Sequence, residues 1–176
     1  MPLLLIETVP ASQDAASVRA VIDAIERAVR DGGGEVVEAH VTVGLGRVYV
    51  AAEHPAEGGL RTALAGARLR LPPVEVTRVR LVGATLEDVK ARRNGATYLV
   101  EWDFPTDLTM DRYLERKRAN SVHYAAVPEV RFLRTYVRED MEKCLCLYDA
   151  PDEDCVRRAR EAVSAPVTRL SRIIAP

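Results

Sequence analysis

Apolar and polar positions along the chain change period in a regular way. Residues 3–8 form a short apolar run. Val18, Val21, Ile22, Ile25 and Val29 then recur at the 3.6-residue spacing of a helix, opened by Ser12 and Asp14 and stopped by Gly32, Gly33 and Gly34. Residues 35–43 and 47–53 read as a hairpin around Gly44, Leu45 and Gly46. A helix from Glu57 to Ala67 and a strand from Glu75 to Val82 complete a β-α-β-β-α-β order, the ferredoxin-like split βαβ unit. A linker with a short helix from Leu86 to Arg93 follows. The order then repeats: strand 97–103, helix 109–125 with a proline stop at Pro128, hairpin strands 130–137 and 143–149, helix 152–163 and strand 167–173.

The repetition extends to individual residues. Leu5 and Glu7 answer Leu99 and Glu101, Glu35-Val36 answers Glu129-Val130, and Val76-Thr77-Arg78 answers Val167-Thr168-Arg169. Drift in the offset falls in loops. This predicts an α+β fold of two tandem ferredoxin-like (βαββαβ) repeats, residues 1–83 and 97–176 joined by residues 84–96, pairing sheet to sheet as in a dimeric α/β barrel. A copy of about 80 residues is small for a core of its own, so pairing would add burial.

In that arrangement one sheet face meets helices and the other lines an interior, and successive side chains alternate between them. The alternation assigns Ile6, Val37, Ala39, Val41, Val43, Val100, Trp102, Leu133 and Val137 to the helix side. It assigns Glu7, Glu38, His40, Thr42, Glu101, Asp103, Phe132, Arg134 and Tyr136 to the interior, and we add Cys144, Cys146 and Tyr148 to that face. The plainer account is a solvated sheet face, which antiparallel sheets often have. A ligand pocket is the alternative, because buried charges demand pairing or an occupant.

Composition narrows the chemistry. The formal net charge is −1, which gives no electrostatic case for nucleic acid or an anionic membrane. No apolar run approaches the ~20 residues of a membrane span, and no basic segment precedes Leu3, so the start reads as a strand and not a leader. Three cysteines, Cys144, Cys146 and Cys155, point to reduced thiols in a cytoplasm. A Gly-rich phosphate loop, HExxH and GxSxG are all absent.

The second repeat resembles a known family. Tyr98, Leu99, Val100 and Glu101, then Phe104-Pro105, Thr135-Tyr136-Val137, Asp140, Lys143, Cys146-Leu147-Tyr148, Ala150-Pro151, Pro166 and Arg169-Leu170-Ser171 carry the likeness. Together they resemble a small ferredoxin-like family, mainly of high-GC bacteria, whose best-described member binds nickel. The first repeat has Thr42, Val50 and Ala52 where the second has tyrosines and a cysteine. The resemblance implies a ferredoxin-like fold, a fused version of a homodimer, and binding of a divalent metal. It fixes neither ligands nor a reaction.

Three readings follow. The first is a metal-binding protein, nickel favoured by resemblance, with His40, Glu38 and Glu7 as ligands, since imidazole plus carboxylate suits nickel, zinc, iron or manganese. The second is a small-molecule enzyme of cyclase or isomerase type. There His40 is the general base, Arg134 holds an anion, Tyr136 or Tyr148 donates a hydrogen bond, and Glu101 pairs with Arg134. The third is a non-catalytic binding module. Partners are then a metal ion or a small molecule, with further oligomerisation left open. Cys144 and Cys146 read as buried structural thiols, and His54 and His123 as surface or cap residues.

Overall fold

The computed structural model describes residues 1–66, 73–91 and 95–176. The expected helix ends at Ala67 and Arg93 lie outside these residues. The fold is mixed α+β, and the chain divides into two compact units: Met1–Val79 with Thr85–Asn94 and Ile173–Pro176, and Arg80–Ala84 with Gly95–Arg172.

The first unit contains β1 (Leu3–Thr8), α1 (Ala15–Asp31), β2 (Glu35–Thr42), β3 (Val48–Glu53), α2 (Glu57–Gly66), most of β4 (Val74–Val82) and the short α3 (Leu86–Ala91). Asp14 caps α1 by accepting from the Ser17 N–H at 2.8 Å, which satisfies one of the free donors of the first turn. Gly33, at φ 80°, ends the helix in a conformation that suits glycine. The sheet order is β4-β1-β3-β2, antiparallel throughout. Ile173 and Ile174, which belong to this unit, pair with Thr42 and Val41. The core joins Leu4, Ile6, Val41, Val50, Ala52 and Val76 of the sheet to Val21, Ile25, Leu60 and Leu64 of the helices. The α3 segment, expected in a linker, is tied to this unit by Lys90, whose Nζ donates to Glu35 at 2.6 Å and Glu53 at 2.7 Å.

The second unit contains β5 (Tyr98–Asp103), α4 (Met110–Asn120) running into a 3₁₀ turn (Ser121–Ala126), β6 (Arg131–Arg138), β7 (Lys143–Asp149), α5 (Glu153–Ala162) and β8 (Arg169–Ile174) up to Arg172. Its order is β8-β5-β7-β6, so its first, second, third and fourth strands are arranged as in the first unit. Thr109 and Asp152 cap its helices.

Two bulges correct the expected faces. In β2 the register shifts between Val36 and Glu38, so Val37 is an extra residue. Val36, not Val37, packs with Ala39 and Val41 on the helix side, and Val43 is exposed beyond the strand. In β6 the shift lies between Phe132 and Arg134, with Leu133 as the extra residue. Phe132 therefore packs in the helix-side cluster and Leu133 does not, the reverse of the expectation.

A second correction concerns β7. Cys144, Cys146 and Tyr148 belong to the helix-side core with Val100, Trp102, Tyr113 and Val156. Leu145 and Leu147 take the other face, in register with Tyr136 and Arg134. Apolar content fails to discriminate here, because both faces of β7 are buried.

Candidate functional site

In the first unit Glu38 and His40 lie two residues apart on β2, just beyond the bulge at Val37, so alternation puts them on one face. Nε2 of His40 and Oε2 of Glu38 stand 2.7 Å apart, with both side chains buried. Nδ1 of His40 is buried and has no hydrogen-bond partner among the described residues. A carboxylate on one ring nitrogen fixes the tautomer that leaves a lone pair on the other. Glu7 is also buried. It is in register with Tyr49 of β3, and so is His40 from the opposite side. Two strand spacings, roughly 9.5 Å, thus separate the backbones of Glu7 and His40, with Tyr49 between them.

The donor set offers one imidazole nitrogen with a carboxylate behind it, a single candidate ligand. It does not form a closed site: no group of three or more His, Cys, Asp or Glu side chains among the described residues is placed to hold an ion.

In the second unit Glu101, Arg134 and Tyr136 are all buried. Glu101 receives Lys143 Nζ at 3.0 Å and Arg169 Nη1 at 2.8 Å, so its carboxylate is an ion-pair centre. Arg134 and Tyr136 lie opposite Leu147 and Leu145, away from the helix-side cluster, as the alternation predicts.

Tyr148 corrects the expected catalytic set. It lies under the helices, where its hydroxyl meets Tyr124 at 2.9 Å and accepts from Arg160 Nη1 at 3.1 Å. Burial, reinforced by Cys146, pushes its phenol well above the ordinary range. Cys146 receives Arg160 Nη1 and the Thr135 hydroxyl, each at 3.3 Å, and its Sγ is 3.8 Å from that of Cys144. Sequence reading missed Arg160 and Lys117. The signal was a charged residue inside an apolar stripe: Arg160 is buried with Val156 and Ala159 on α5.

His54 is not a surface residue, though its hydrogen bond falls at the start of α2, as a cap's does. It is 3% exposed, and its Nδ1 accepts from the Ala56 N–H at 3.1 Å. His123 is exposed in the 3₁₀ turn. No helix among the described residues is long and apolar enough to cross a membrane.

No curated protein matches the chain. Among solved structures, one described as "Putative Chlorite dismutase TA0507" aligns with TM-score 0.57 at 14% identity, covering 99% of this chain and 96% of its own. An anthrone oxidase-like protein aligns with TM-score 0.54 at 12% identity, covering 98% and 91%. At such identities these likenesses establish the fold alone. Residues 98–173 match the family described as "Nickel responsive protein SCO4226-like", so the second half of the chain carries the sequence pattern of that nickel-responsive family.

Proposed function

We propose that this protein binds a divalent transition metal, nickel being favoured by the family match, and that His40 Nδ1 is a ligand. The observation that carries the reading is the buried Nδ1, without a partner among the described residues, beside an Nε2 tied to Glu38. Ligating imidazoles ordinarily use the second nitrogen to hold a carboxylate or carbonyl in this way. Glu38 then orients His40 instead of ligating. The family match covers the second unit and His40 lies in the first, so the reading takes the halves to be diverged copies, residues 1–83 and 97–176 joined by 84–96. The shared strand order and the bulge at equivalent places support that duplication.

Calorimetry with nickel(II) tests it. Wild type binds, His40→Ala does not, and Glu38→Gln binds about 10–100-fold more weakly, the usual cost of losing an orienting partner. Equal affinity in wild type and His40→Ala rules the reading out.

The second reading is a cyclase- or isomerase-type enzyme in which the same pair removes a proton from a small-molecule substrate. The same free Nδ1 favours it, since a carboxylate-held imidazole is the usual form of a general base. Turnover that survives metal chelation and is lost in His40→Ala selects this reading.

A further inference from the structure

The second unit gathers cations that no carboxylate answers. Arg160 of α5 is 3% exposed. Its Nη1 donates to Cys146 Sγ and the Tyr148 hydroxyl, and its Nη2 donates to the Pro166 carbonyl. Its Nε is buried with no partner among the described residues. Lys117 of α4 donates from Nζ to Thr135 Oγ1 at 3.2 Å and stands 4.0 Å from the Phe132 ring centroid. Arg116 donates to the Ser164 carbonyl and lies over the Trp102 ring at 5.4 Å, with Arg160 5.9 Å from the same ring. None of these partners is an acid. Burial lowers the Lys117 ammonium from its ordinary range, the cost of taking a charge out of water without a counter-ion. The Cys146 thiol hydrogen-bonds Arg160 but neither Lys117 nor Arg116, so even ionised it leaves the cluster with a cationic excess.

These three cations stand in the wall of one cavity, with Trp102, Tyr113 and Tyr124, and no acidic side chain among the described residues lines it. The wall runs from buried Arg160 and Trp102 to exposed Arg116 and Ser121, so its outer end faces solvent. The cavity volume is about 30 Å³. A water needs roughly 10–15 Å³ on this scale, so about two or three small heavy atoms fit. Val163 and Ala165 add apolar wall beside the Trp102 ring.

We propose that this cavity binds a small carboxylate anion of formate size, with Arg160 and Lys117 as its cationic partners. The anion supplies the counter-charge that the protein withholds, and hydrogen bonds between ionised groups are the strong ones. An apolar wall beside a cationic one suits a carboxylate, whose C–H or alkyl end needs no hydrogen bond. The site is independent of the metal reading at His40, and a cluster of cations repels a metal ion.

Trp102 is the chain's single tryptophan, so its fluorescence reports on the cavity directly. The test replaces sodium chloride with sodium formate around the full chain, at constant ionic strength and neutral pH. The expected result is a saturable change in emission together with a thermal midpoint that rises with formate. Formamide, neutral and of similar size, gives neither. Lys117→Met weakens formate about tenfold, the scale of one charged hydrogen bond. Arg160→Met, with folding checked by circular dichroism, abolishes saturation. Lys117 is only half-buried, so its variant carries the test even where Arg160→Met fails to fold. Neither response to formate in wild type, equal responses to formamide, or an unchanged formate affinity in folded Lys117→Met or Arg160→Met overturns the proposal.

Discussion

Nε2 of His40 and Oε2 of Glu38 meet at 2.7 Å from positions two apart on one strand. Their carboxylate–imidazole contact is built by a single strand, by alternation on one side of the bulge at Val37. Removing the carboxylate leaves a second buried imidazole nitrogen without its partner. Glu38→Ala is expected to cost about 1–3 kcal/mol. Urea denaturation checks this, and an unshifted midpoint contradicts the buried pair.

Gly32 and Gly34 flank His54 for a steric reason. A Cβ at Gly32 would lie 2.1 Å from His54 Nε2, and one at Gly34 would lie 2.4 Å from the Glu53 carbonyl oxygen. Gly32→Ala should destabilise by about 1–3 kcal/mol as overpacking. Adding His54→Ala should recover part of that loss, because the two residues are in contact. The same second change should rescue Gly34→Ala less, because it removes the contact with His54 Cδ2 at 2.9 Å but leaves the closer one with the Glu53 carbonyl. Thermal melts of the four variants decide it.

Tyr148→Phe removes an acceptor from Arg160 and a partner from Tyr124 while keeping the ring. The expected cost is about 1–3 kcal/mol, with the sheet unchanged by circular dichroism. A neutral effect would place the hydroxyl in water.

The phenols of this cluster predict an alkaline limit. Burial, with Cys146 adding to it, pushes Tyr124 from 10.0 up to about 12. The unfolded chain therefore releases this proton before the folded one does. The contribution to stability is whole below about pH 10 and falls as pH rises toward 12. Urea midpoints at about pH 9 and about pH 11 should drop, and drop less in Tyr124→Phe.

Much of this was legible in the residues. The periodicity of Val18, Val21, Ile22, Ile25 and Val29 gave α1 its buried face, and the duplicated order gave the same strand arrangement in both units. Glu38 and His40 were placed together by alternation alone. Alternation failed at Val37 and Leu133, because a bulge inserts one residue and inverts the phase on one side of it. It failed again on β7, where Leu145 and Leu147 are as buried as Cys144 and Cys146, so hydrophobicity did not say which face met the helices. Arg160 escaped notice because its charge hid a helix position that is fully interior.

The central claim is that His40 Nδ1 takes a divalent metal. The most direct measurement is nuclear magnetic resonance of isotope-labelled imidazole side chains during addition of substoichiometric nickel(II). The account predicts selective paramagnetic broadening of the His40 ring signals, led by the Nδ1 side, with His54 and His123 unaffected and the effect weakened in Glu38→Gln. Broadening of His123 alone, or sharp His40 signals at saturating nickel, would contradict it.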